Sequence, residues 1–245
     1  MRNIKILIAY DGTRYNGWQR QDNTENTIQG KIEQLLSRMT GEEIEIHGSG
    51  RTDGGVHAKG QIANFHTNTT MTTEEILQYM NEYLPMDIAV LDVRDASERF
   101  HSRLNVKRKT YCYHIWNSEV PNVFERKYSY QITEKLDIYA MREAASYLLG
   151  THDFKSFCAR KKMKKSTVRM IESIDFRKEG DMLFITYKGN GFLYNMVRIL
   201  TGTLIEVGRG ERKPEEMKMI LESLNRDKAG FTAPAQGLFL EKVDY

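Results

Sequence analysis

A carboxylate set among glycines is the first place where residue types and spacing in this chain could do chemistry. Asp53 lies within Gly48-Ser49-Gly50-Arg51-Thr52-Asp53-Gly54-Gly55, four glycines in eight residues. Glycine lets a backbone take positive φ or approach another molecule closely, so such a loop can grip something around its acid and its guanidinium, Arg51. The plainer reading is a turn that Asp53 caps and in which Arg51 pairs with it. Further candidates are Tyr111, just after three cations, and Arg198. The run Arg160-Lys161-Lys162-Met163-Lys164-Lys165 holds five cations in six residues. It suits a solvated loop or a surface that tracks phosphates. No Walker pattern, Rossmann fingerprint or His-Cys cluster at metal spacing is present, so no cofactor and no metal are expected.

The elements that must position these residues are legible in part. Ile4 to Tyr10 is a branched, apolar run broken by Asp11-Gly12 and reads as a strand. Ile28, Ile32, Leu35 and Leu36 form one helical stripe that ends near Gly41. Ile44-Glu45-Ile46 and Gln61 to His66 alternate as strands on either side of the glycine loop. Thr72 or Thr73 caps a helix that stops before Pro85, and Ile88 to Val93 is a further strand. That order, β-α-β-β-α-β, is the ferredoxin-like unit. Trp18, in the loop after the first strand, reads as a core plug by default.

The order recurs in the second half. A strand at Lys107 to Trp116 carries Tyr111, a helix spans Leu136 to Leu149, and Arg169 to Arg177 pairs with Met182 to Lys188 as a hairpin. A helix at Tyr194 to Val207 carries Arg198, and after a Pro214-started helix the last strand is Leu238 to Val243. The expected fold is therefore α+β: two ferredoxin-like halves, 1–105 and 106–245, forming a continuous antiparallel sheet with helices on one face and a central cleft.

Composition bounds the rest. A chain of 245 residues can bury a sizeable core, and its two cysteines make no disulfide framework. No leader pattern opens the sequence, and no apolar run approaches the ~18 residues of a membrane span, so a soluble cytoplasmic protein is expected. Residues 1–105 hold eleven cations against fifteen carboxylates, and residues 106–245 hold twenty-five against eighteen. The segregated positive charge suits a polyanionic partner.

Arg51 to Ala58, with Asp11-Gly12-Thr13-Arg14-Tyr15-Asn16-Gly17-Trp18-Gln19-Arg20-Gln21 upstream, closely resembles the tRNA pseudouridine synthase A family. The likeness continues in order through Phe100-His101-Ser102-Arg103, Lys109-Thr110-Tyr111-Cys112-Tyr113, Gly191-Phe192-Leu193-Tyr194-Asn195-Met196-Val197-Arg198 and Ala233-Pro234-Ala235-Gln236-Gly237-Leu238. The resemblance implies isomerisation of uridine to pseudouridine in tRNA at positions 38 to 40 of the anticodon stem-loop, by a homodimer that needs no cofactor. It makes Asp53 the nucleophile or base and Tyr111 a substrate contact, and it matches Arg198 to an arginine that pairs with the acid. Arg51, Lys161 and Lys162 join Tyr111 and Arg198 as expected substrate-binding residues. Gly54 departs from the family's usual alanine, Ser49 from a frequent alanine and Asn195 from a common histidine, and none of these removes a chemical group.

Two other readings fit less of the chain. A non-catalytic RNA-binding module shares the ferredoxin-like order, and Lys188 to Tyr194 partly mimics its signature, but Asn190 stands where that signature needs an aromatic. A nucleoside hydrolase would need a second carboxylate or a water activator beside Asp53. The same reaction on another RNA, such as rRNA, is the closer rival.

Overall fold

In a computed structural model, which describes residues 1–160 and 165–245, the chain is α+β and its strands are mostly antiparallel. Met1–Lys107 with Phe239–Tyr245 makes one compact unit, and Arg108–Leu238 makes a second. Among the described residues no helix is long and apolar enough to cross a membrane.

The first unit runs β1 (Arg2–Tyr10), α1 (Ile28–Thr40), β2 (His47–Gly48), β3 (His57–Thr67), α2 (Thr73–Tyr83) and β4 (Ile88–Ala96). Its strands lie in the order β4-β1-β3, with β2 on β3, which is the ferredoxin-like arrangement. Ile4, Ile6, Ile8 and Tyr10 alternate into the core from β1, paired with β3 on one side and β4 on the other. Thr27 caps α1 by accepting from the Gly30 amide, and Gly41 ends it at φ 72°. Thr72 and Glu75 form a capping box on α2.

Ile44 to Ile46 is not the strand its alternation predicts. Both isoleucines are buried, but the Ile44 amide donates to Ser37 Oγ at 3.0 Å and the Ile46 amide to Glu33 Oε1 at 3.0 Å. Side chains of α1 thus take the backbone bonds a ladder would use, leaving only His47–Gly48 to pair with β3.

The second unit runs β5 (Arg108–Asn117), β6 (Tyr130–Ile132), α3 (Ile138–Ser146), β7 (Gly150–Asp153), β8 (Val168–Glu179), β9 (Met182–Gly189), α4 (Met196–Gly208) and α5 (Glu216–Ser223). The strands follow the order β5-β9-β8-β7, with β6 parallel beside β5. β8 and β9 form the expected hairpin, closing with Glu179 opposite Met182. The last strand, β10 (Leu238–Asp244), pairs in parallel with β3 at Phe239–His57 and Leu240–Ala58. α4 is apolar nearly all round: of its thirteen residues only Arg198 and Glu206 are not buried.

Candidate active site

The Asp53 loop is held from below by the end of β1 and from the side by the segment after it. The Tyr10 and Thr52 hydroxyls share a bond of 2.8 Å in the core, and burial pushes the Tyr10 pKa up, so it stays a neutral phenol. The Thr52 carbonyl accepts from the Trp18 amide at 3.0 Å, and the Tyr15 carbonyl accepts from the Gly55 amide at 3.3 Å. Within the loop the Val56 amide donates to the Asp53 carbonyl at 3.1 Å. At its other end the Ser49 hydroxyl donates to Gln61 Oε1 at 2.5 Å, and Gln61 Nε2 donates to the Gly50 carbonyl at 3.1 Å. Thr52 and Ser49 are buried, whereas Asp53 is half-buried and Arg51 exposed. An acid is thereby presented at the surface by anchored neighbours, as a reacting group needs.

Two glycines outside the loop make the close packing possible. A side chain at Gly12 would collide with the Val56 carbonyl, and one at Gly17, already at φ 93°, would lie 2.6 Å from the Thr52 oxygen. Gly54 differs, because a methyl group there meets nothing closer than the Tyr15 oxygen at 3.4 Å. The family's usual alanine would fit. Trp18, 2% exposed, is the core plug expected of it. Gln19, which sequence reasoning passed over, accepts from Arg51 Nε at 2.9 Å through Oε1. Its own amide donates to Gln29 Oε1 at 2.7 Å, so Arg51 is aligned by a chain that reaches α1. Behind the loop His57, 1% exposed, accepts the Gly12 amide on Nδ1 at 3.1 Å and stacks on Phe239.

In the second unit Tyr111 is buried in β5, and its ring meets Phe192 edge-on with centroids 5.3 Å apart. Arg198 is half-buried on the first turn of α4. Its Nε donates to the Ala233 carbonyl at 2.7 Å and its Nη1 to Asn195 Oδ1 at 3.0 Å. Asn195 takes φ 59°, a left-handed conformation that asparagine tolerates better than most residues, and it precedes the helix. The signal for that role was its place at the start of an apolar helix, three residues before an arginine. The Ala233 segment is itself fixed, since Tyr113 donates to the Pro234 carbonyl at 2.7 Å.

The first unit therefore brings Arg51 and Asp53 onto one loop, and the second fixes Tyr111 and Arg198 through the Phe192 to Arg198 stretch. Lys161 and Lys162 lie outside the described residues.

Residues 6–105 and 144–245 match the family described as tRNA pseudouridine synthase. The chain is 52% identical, over its 245 residues and the whole of the relative, to tRNA pseudouridine synthase A of Bacillus sp. strain KSM-64. It is 50% identical, again over all of both chains, to tRNA pseudouridine synthase A 1 of Clostridium tetani strain Massachusetts / E88. Among solved structures it is similar to a chain of the "Crystal Structure of a Cbf5-Nop10-Gar1 Complex" at a TM-score of 0.36 and 10% identity. That match covers 97% of this chain and 48% of the other, a likeness too loose to bear on the fold.

Proposed function

The chain belongs to the tRNA pseudouridine synthase family, an isomerase family, and on that premise we propose that it modifies uridines 38 to 40 of the anticodon stem-loop with Asp53 as the reacting acid. In the reaction the C1′–N1 bond breaks, the uracil turns and a C1′–C5 bond forms. C5 loses its proton as N1 gains one, so atoms and electrons balance without a redox partner. An ionised carboxylate suits each available route: addition to C1′, addition to C6, or removal of a sugar proton. The observation that carries the reading is the anchoring of the Asp53 loop through buried Ser49 and Thr52 while Asp53 itself stays partly open to solvent. Tyr111 supplies a ring for the displaced uracil, and Arg51, Arg198, Lys161 and Lys162 supply cations for RNA. The protein works in the cytoplasm as a two-fold dimer, because a tRNA spans more than one small α+β unit can hold. Mapping pseudouridine in total tRNA and rRNA after incubation with the enzyme tests the site. Product at positions 38 to 40 is expected, product elsewhere in tRNA refutes the stem-loop assignment, and product in rRNA alone refutes the tRNA substrate.

A further inference from the structure

Tyr194 is a large ring held out in solvent by a backbone that is fixed on both sides. It is 46% exposed, while Leu193 before it is 7% and Met196 after it 1%. The Tyr194 carbonyl accepts from the Ala159 amide at 3.2 Å, the Met196 amide donates to the Leu193 carbonyl at 3.1 Å, and the Ile199 amide donates to the Asn195 carbonyl at 3.0 Å. A tyrosine serving the core would turn inward from such a turn. Instead the exposed Arg160 guanidinium lies over the ring, 5.4 Å from its centroid.

Some cations of this unit are paired with carboxylates and others are not. Arg177, Arg209 and Arg212 each have a glutamate partner, as does Lys188. Arg160, Lys165 and Arg169 have none within ion-pair distance among the described residues. Arg169 donates instead to the carbonyls of Ser166 and Val168 at 2.9 and 2.6 Å. An exposed guanidinium lying over an exposed aromatic ring matches single-stranded nucleic acid, whose phosphates need charge and whose unstacked bases need a flat surface.

We propose that Tyr194, backed by Arg160, is a stacking platform for an unpaired nucleobase of the tRNA, one that flanks the modified uridine and is not itself modified. This rests on the RNA-isomerase reading above and adds to it a positioning residue. The platform lies on the turn that leads into α4, so a base seated there fixes the RNA close in sequence to Asn195 and Arg198. Its contribution is to binding and register, and Tyr194 takes no part in the bond changes.

The test uses the full-length protein and an anticodon stem-loop RNA carrying 2-aminopurine in turn at each loop position. Wild-type protein is expected to quench one position. Tyr194→Leu is expected to abolish that quenching and to raise KM about tenfold while lowering kcat much less, whereas Tyr194→Phe restores both. Tyr194→Leu is expected to leave the salt dependence of binding unchanged, because it removes no charge. Independently of any variant, 5-iodouridine at the quenched position is expected to cross-link to Tyr194. Wild-type KM and quenching in Tyr194→Leu, or a cross-link elsewhere, would overturn the platform while leaving the isomerase reading intact. If wild-type protein forms no pseudouridine in the stem-loop, the reading of its substrate falls and the platform falls with it.

Discussion

The Asp53 loop and the turn before α4 are both short and irregular, but they are held in opposite ways. Around Asp53 the interactions are buried and of fixed length: a hydroxyl pair in the core, carbonyls taken by the Trp18 and Gly55 amides, and glycines that admit no side chain. At Tyr194 the backbone is pinned while the ring and the Arg160 guanidinium over it are exposed. The first arrangement suits a group whose position decides a reaction, because a small displacement of a reacting acid is costly. The second suits a partner held by many interactions that are weak one by one. The charge distribution agrees, with the acid excess in residues 1–105 and the cation excess in residues 106–245.

The largest effect that would break this contrast comes from crowding the loop. Gly12→Ala drives a methyl group into the Val56 carbonyl, a backbone atom with no room to move, and is expected to cost about 3 kcal/mol of stability. Product formation should fall with it, read by thermal unfolding and by single-turnover assay. An unchanged melting temperature would mean that the two segments are not packed as described.

A smaller effect, on binding alone, is expected from Arg160→Gln combined with Lys165→Gln. For every phosphate that these side chains no longer neutralise, the salt slope of RNA binding should fall by about 0.7, with unfolding unaltered. An identical slope would return these cations to the status of solvated side chains.

The smallest concerns Phe100-His101-Ser102-Arg103, which belongs to the first unit and serves packing: Ser102 is fully buried and its amide donates to Asn64 Oδ1 at 2.9 Å. Burial, and then the nearby His47, Arg103 and His66, lower the His101 pKa below its ordinary 6.5. The unfolded chain therefore binds the proton more readily, and stability present above 6.5 is lost as pH falls toward the folded-state value. Denaturant midpoints taken from neutral to mildly acidic pH should decline modestly, and the decline should be shallower in His101→Gln. Equal slopes in the two proteins would show that His101 contributes nothing to the decline.

Much of this was legible in the sequence wherever one local rule decided the outcome. Thr27, Gly41 and the Thr72–Glu75 box set helix ends that no tertiary interaction overrides. The β8–β9 hairpin followed from its alternation and its Gly180 turn. Ile44 to Ile46 misled because burial alternates there as in a strand, while the backbone bonds go to Ser37 and Glu33, a pairing no local pattern encodes. Tyr130–Ile132 and Gly150–Asp153 are too short for alternation to reveal. The motifs singled out Arg51 and Asp53, which the first unit carries on one loop, and Tyr111 and Arg198, which the second unit carries on β5 and α4. The supporting residues Tyr10 and Gln19 were not legible, since their roles depend on which groups the fold brings within hydrogen-bond distance, whereas Asn195 was signalled by its place three residues before Arg198.

In the proposed reaction Asp53 carries the chemistry, and other side chains, Arg51 among them, hold the RNA. Asp53→Asn tests this division most directly, because it keeps shape and removes charge. Binding of the anticodon stem-loop and pseudouridine formation in a single turnover are measured on the same preparation. RNA affinity is expected to stay within a factor of about three of wild type, a change of about 0.7 kcal/mol at most, with no detectable product. Product at a rate near wild type would contradict this division, and so would loss of binding in step with loss of product.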